Sequence, residues 1–199
     1  MCGMTRAEDI QHAIALGVDA LGFIFYPKSK RCITIEAADK LLSHIPPFVS
    51  IVAVVVNQEF SFIDTLLRRL PIHYIQFHGH ETPAFCQQFQ RPYLKAMAAT
   101  AENLMTLDCY TGAQGIVLDT PCAEFGGSGK TFNWDTIPSQ RKTPIILAGG
   151  LNADNVAQAI GQVKPLAVDV CSGIETSPGV KNYAKMEKFM RVVGESCAV

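Results

Sequence analysis

The chain has 199 residues, 48% hydrophobic and 18% charged, with a net charge of −1. That is enough for one domain spanning residues 1–199 with a sizeable core, and it is too apolar for intrinsic disorder. The near-neutral balance gives no reason to expect nucleic acid or an acidic membrane surface as a partner, although backbone donors can still bind a small anion.

The seven cysteines are an odd number, scattered without CxxC pairs. No signal peptide or long apolar span is read in the sequence, so reduced thiols in a cytoplasmic protein are expected rather than a disulfide framework. Cys and His nowhere fall at zinc-ligand spacing, so no metal is expected.

From the N-terminus, Thr5-Arg6-Ala7-Glu8 has the spacing of a capping box. It opens a predicted helix from Ala7 to Leu16, closed by Gly17. A strand from Ala20 to Phe25 leads into a basic loop, Tyr26-Pro27-Lys28-Ser29-Lys30-Arg31. Thr34 caps a helix from Ile35 to His44. The alternation continues with a strand from Ser50 to Val56, a helix from Ser61 to Leu70 and a strand from Tyr74 to Phe77. A helix from Pro83 to Gln90 starts behind Thr82. A strand from Tyr93 to Ala98 and a short helix near Ala101 to Met105 follow. Ile116-Val117-Leu118 reads as a buried parallel strand that stops at Asp119 and leads into Gly126-Gly127-Ser128-Gly129-Lys130. An acid at a strand end before a glycine loop suits a catalytic group under a lid; it also suits a capping Asp before a plain turn. A turn of helix from Trp134 to Ile137 capped by Asn133, a strand from Ile145 to Ala148, a helix from Ala153 to Gly161, a strand from Ala167 to Cys171 and a helix from Tyr183 to Val193 complete the chain.

Repeated strand–helix units mean a parallel sheet. Seven strands are visible and an eighth falls just before Cys2. The expected fold is α/β, a (β/α)8 TIM barrel in a single domain, its first strand truncated at the N-terminus. The rival is an open doubly wound sheet, but no GxGxxG follows the first strand. Both folds gather their chemistry at the C-terminal strand ends. Those ends read Cys2, Tyr26, Asn57, His78, an unremarkable fifth, Asp119, Gly149-Gly150 and Ser172-Gly173. Two glycine turns on adjacent strands suit a phosphate, because glycine lets backbone N–H groups approach it. Arg31 can grip a carboxylate with two parallel hydrogen bonds, or can sit in a solvated basic loop. His78 suits an acid–base role or a structural hydrogen bond. His12, His44 and His73 are given no role, and Cys32, Cys86, Cys109, Cys122 and Cys197 are expected to be packing or surface thiols.

The stretches CGMTRAEDI, DALGFIFYPKSKR, IQFHG, LDT followed by FGGSGKTFNW, LAGGLNADNV and VDVCSGIE, in this order over nearly the whole chain, resemble the phosphoribosylanthranilate isomerase family. The resemblance implies a (β/α)8 barrel of tryptophan biosynthesis that performs an Amadori rearrangement without metal or organic cofactor, acting as a monomer or homodimer. It implies that Cys2 is the general base and Asp119 the general acid. Arg31 would hold the anthranilate carboxylate, Gly149, Gly150, Ser172 and Gly173 the phosphate, and His78 and Asp169 would be further substrate contacts. The acid must be protonated at neutral pH, which burial favours, and the thiol needs lowering from about 8.5. The glycine turns alone would also fit an indole-glycerol-phosphate synthase, a ribulose-phosphate epimerase or a catalytically silent phosphate-binding barrel. The Cys2 and Arg31 motifs argue against the first two.

Three departures from the family pattern carry expectations. The family has several residues before this cysteine, whereas only Met1 precedes it here. A missing strand leaves two unpaired edges, so this form is expected to be less stable and less active than one extended by about five residues. The nearby α-amino group should favour the Cys2 thiolate. Cys171 stands where a small hydroxyl residue would be equally natural. Asn133 stands where an acid could cap.

Overall fold

The computed structural model describes residues 1–121, 131–138 and 142–197. Among these, seven parallel strands stand side by side in chain order: β1 (Ala20–Ile24), β2 (Ser50–Val55), β3 (Tyr74–Phe77), β4 (Tyr93–Ala98), β5 (Gly115–Asp119), β6 (Ile145–Leu147) and β7 (Ala167–Val168). Helices α1 (Ala7–Ala15), α2 (Ile35–Leu42), α3 (Phe60–Arg69), α4 (Pro83–Cys86), α5 (Ala101–Met105), α6 (Val156–Val163) and α7 (Tyr183–Cys197) alternate with them. A doubly wound sheet reverses its strand order at a switch point; this one never does.

The ring is closed by the first four residues. Met1 accepts from Gly22 N–H and Met4 N–H donates to the Gly22 carbonyl, while on the other side Cys2 N–H donates to the Val170 carbonyl. The expected unpaired edges are therefore both met. Cys2 and Gly3 together stand opposite the single residue Gly22, and Gly3 adopts φ 73°. That is a bulge, and it interrupts the regular ladder at the point where a strand was expected.

Strand alternation sorts the side chains into two layers. Ile116 and Leu118 of β5 join the main core against the helices, whereas Val117 packs with Ala96 and Ala148 inside the barrel. Asp119 shares the parity of Val117 and so turns toward the barrel mouth. Leu21 and Phe23 face the helices, which leaves Gly22 inward.

Most predicted boundaries hold within two residues. Five readings differ: α7 runs on to Cys197, four residues past the expected Val193, and the other four each have a local reason. Thr5 does not cap α1: its hydroxyl donates to the Gly179 carbonyl and Arg6 is the N-cap. α4 stops at Cys86, where the Gln88 N–H turns to the Phe85 carbonyl three residues back and tightens the last turn. α6 begins at Val156 because Asn155 Oδ1 takes the Asn152 N–H and Asn152 Oδ1 takes the Asp154 N–H, side-chain turns that compete with helix. β7 leaves the ladder after Asp169, and Ser172–Ile174 form a 3-10 turn. The antiparallel hairpin of β8 (Glu175–Ser177) and β9 (Val180–Lys181) was not foreseen.

Candidate active site

Cys2 lies in the space that a Gly22 side chain would fill: a β-carbon there would stand 2.8 Å from the Cys2 sulfur. Its thiol is hydrogen-bonded to that of Cys171. This bond, then burial, then the Asp169 charge push the Cys2 thiol well above its ordinary value, with Lys181 pulling the other way. Cys171 is lowered, because it receives the Cys2 hydrogen bond and faces the cations Lys181 and Arg31. Cys2 is therefore the harder of the two thiols to ionise. The expected lowering by the α-amino group is not seen; that group donates instead to the Ala20 carbonyl at 2.9 Å.

Asp119 ends β5 with Oδ1 accepting the Thr120 N–H at 2.7 Å and Oδ2 3.5 Å from His78 Nε2. His78 thus adjoins the candidate acid, and its Nδ1 lies 3.4 Å from the Gln76 amide nitrogen. Cys2 and Asp119 belong to the same rim, with β6 and β7 between them on one side of the ring.

The turns after those two strands fill the interval. Gly149 has φ 83° and Gly150 φ 66°. A β-carbon on Gly149 would come within 2.4 Å of Thr120 and 2.8 Å of Asp119 Oδ1, so only glycine brings this turn against the acid. A β-carbon on Gly173 would stand 1.9 Å from the Leu151 carbonyl oxygen, so the two turns abut. Beside them opens a cavity of about 500 Å³ whose lining includes Gly150, Asn152, Ser172, Gly173 and Lys185. Gly173→Ala is expected to cost about 1–3 kcal/mol through overpacking. It should also abolish any rise in melting temperature that inorganic phosphate gives the parent chain; thermal unfolding with and without phosphate measures both.

Arg31 is half-engaged already. Its Nε and Nη2 make a forked pair with Glu175, at 2.8 and 2.6 Å, and Nη1 has no hydrogen-bond partner among the described residues. The glycine loop Gly126 to Lys130, expected as a lid, lies outside the described residues.

The family model for N-(5'-phosphoribosyl)anthranilate isomerase matches residues 1–192. The chain belongs to this family. The N-(5'-phosphoribosyl)anthranilate isomerase of Legionella pneumophila strain Paris is 52% identical over 196 residues, 97% of this chain and 95% of that protein. The solved isomerase of Thermotoga maritima superposes with a TM-score of 0.87 at 37% identity, covering 98% of this chain and 97% of that one. A phosphoribosyl anthranilate isomerase in complex with reduced 1-(o-carboxyphenylamino)-1-deoxyribulose 5-phosphate gives 0.83 at 34%, with 98% and 96% covered. The fold is accordingly the (β/α)8 barrel of these isomerases.

Two buried ion pairs brace the mouth of this isomerase-family barrel, and neither was read from the sequence. Lys181, wholly enclosed, donates from Nζ to the Cys2 carbonyl at 2.6 Å, the Cys171 carbonyl at 3.3 Å and Glu175 Oε1 at 3.1 Å. Lys95 donates to the Gly79 carbonyl at 2.6 Å and Glu81 Oε2 at 2.9 Å, and Glu81 also takes the Asn57 and Gly79 N–H groups. The second network fixes the loop that carries His78. Lys95 lies within β4, on the face toward the helices that Tyr93 shares, three residues before the strand end taken as unremarkable.

Proposed function

We propose that Cys2 and Asp119 run the proton transfers of an Amadori rearrangement between them. The chain is an isomerase of tryptophan biosynthesis that converts N-(5'-phosphoribosyl)anthranilate into 1-(o-carboxyphenylamino)-1-deoxyribulose 5-phosphate. Asp119 gives its proton to the furanose ring oxygen as the ring opens to a protonated Schiff base. That cation acidifies the C2–H bond, and Cys2 takes the C2 proton from the opposite side. The thiol rests protonated, so it first passes its own proton along the hydrogen bond to Cys171, the sulfur lowered by the two cations. His78, 3.5 Å from Asp119, holds the acid's orientation and contacts the sugar, and Asp169 contacts it from the Cys2 side.

Grips at both ends set the sugar between acid and base, so that little freedom is left to lose on the way to reaction. Gly149, Gly150, Ser172 and Gly173 take the phosphate on backbone N–H groups, and the free Nη1 edge of Arg31 takes the anthranilate carboxylate. The observation that carries this reading is the abutment of the two glycine turns between the thiol and the carboxyl on one rim. The reaction as drawn needs neither metal nor organic cofactor. No helix among the described residues is long and apolar enough to cross a membrane; we place the enzyme in the cytoplasm, as a monomer or homodimer.

Loss of the substrate's fluorescence tests the activity: the chain should consume N-(5'-phosphoribosyl)anthranilate, and a rate equal to the uncatalysed one overturns the reading. Arg31→Ala should raise KM far more than it lowers kcat, because a carboxylate grip remote from the reacting carbons acts on ground and transition states alike. A fall in kcat alone contradicts carboxylate recognition.

A further inference from the structure

We propose that Cys2 and Cys171 form a reversible oxidation site that hydroperoxides close to a disulfide, removing the catalytic base and shutting the enzyme off. The loss of turnover, though not the bond itself, rests on the function proposed for Cys2.

Cross-strand geometry carries this. Cys2 N–H donates to the Val170 carbonyl at 2.9 Å, which in a parallel ladder sets Cys2 directly opposite Cys171. Neighbouring strands run about 4.8 Å apart, within the span of about 4.4–6.8 Å between α-carbons that a disulfide bridges. Both sulfurs lie against the Gly3 bulge: a β-carbon on Gly3 would stand 2.9 Å from the Cys171 sulfur and one on the facing Gly22 2.8 Å from the Cys2 sulfur. Closing the bridge therefore asks for a change of side-chain torsion and no rearrangement of the barrel. Lys181 holds both residues by their carbonyl oxygens, which keeps the pair in register through the reaction.

The neighbours divide the labour. Cys171 is partly exposed, and its sulfur faces Lys181, Arg31 and, at 4.0 Å, Glu175; Cys2 is buried beneath it. The sulfur of the less buried residue, lowered toward thiolate by the two cations, is the one that meets oxidant first. The Cys171 thiolate attacks one peroxide oxygen; the O–O bond breaks, the other oxygen leaves as alkoxide or hydroxide and takes a proton, and Cys171 becomes a sulfenic acid. Cys2 sulfur then displaces hydroxide from it, the Cys2 proton leaving with that hydroxide as water. For hydrogen peroxide the sum is two thiols plus one peroxide to one disulfide plus two waters. The two electrons lost by the sulfurs are those the peroxide gains. The bridge would involve the partly exposed Cys171, which leaves it open to thiol–disulfide exchange with a dithiol.

The test treats the reduced full-length protein with hydrogen peroxide and digests it after blocking free thiols. Mass spectrometry should find the Cys2 peptide joined to the Cys171 peptide, two hydrogens lighter than their sum. Turnover of N-(5'-phosphoribosyl)anthranilate should fall in step with that product, and dithiothreitol should restore both. Cys171→Ser, compared with its own untreated activity, should form no such product and should lose the dithiol-reversible part of the inactivation. Absence of the joined peptide from the parent chain overturns the proposal, as does equal and equally reversible inactivation in Cys171→Ser. If the joined peptide forms while the untreated protein shows no isomerase activity, the oxidation site stands and the function assigned to Cys2 falls.

Discussion

Asp119→Asn should lower kcat by about 10²- to 10⁴-fold, the usual worth of a positioned proton donor, with KM little changed. The substitution is nearly isosteric. The carboxamide keeps an oxygen for the Thr120 N–H that Oδ1 now accepts at 2.7 Å, and it fits the same gap against Gly149. What disappears is the acidic proton. Ring opening then depends on water, and the assay should read a collapsed rate with an unchanged melting temperature. Cys2→Ser is the companion test on the other side of the sugar. A hydroxyl is smaller than the thiol, so the niche against Gly22 accepts it, but it is a far poorer source of an anionic base. Full turnover in either variant removes that residue from the mechanism.

Glu175→Gln should be the most destabilising single change in the site. It leaves the Arg31 guanidinium and the Lys181 ammonium facing each other with no anion between them. Breaking a buried pair by removing one partner costs about 3–5 kcal/mol, which for a chain of this size means a fall in Tm of roughly 6–20 °C. Removing the stranded cation as well, in Glu175→Gln with Lys181→Met, should recover part of the loss; strict additivity would contradict a shared network. The pH dependence has a definite sign. Burial alone would raise the Glu175 carboxyl, but Arg31 and Lys181 outweigh it and hold it below the ordinary carboxylate range. Its contribution is thus complete above about pH 4.3, the ordinary value for Glu, and is lost as pH falls through the lower folded value. The gap in Tm between parent and Glu175→Gln should be constant near neutrality and narrow in acid.

What could be read from the sequence was whatever is written locally. The period of two in Ile116-Val117-Leu118 carries on to Asp119 and turns it inward, and glycine marked both turns, a pair at Gly149-Gly150 with left-handed φ values and a single one at Gly173. The caps at Thr34 and Thr82 were legible for the same reason, and each accepts the expected N–H. Long-range polar partners were not. Nothing near Lys181 in the chain says that its ammonium meets the Cys2 carbonyl, and Lys95 looks like any lysine in a strand until the Gly79 and Glu81 oxygens are folded over it. Thr5 had a local partner at hand and took a distant one, the Gly179 carbonyl. The pairing of Cys2 with Cys171 was hidden likewise. Each half was noticed separately, and only the register of two strands from opposite ends of the chain joins them.

Closure of the ring by residues at both extremes has a kinetic side. A polypeptide emerges from the ribosome N-terminus first, so the segment around Met1 can pair early with Gly22 of β1, but its other edge stays open until Val170 has been made and β7 has docked. The base of the proposed reaction therefore meets its second neighbouring strand only late in assembly, after a loop closure that spans most of the chain. A C-terminally shortened chain keeps the Cys2 thiol but lacks the Val170 carbonyl and the Lys181 ammonium that hold its backbone.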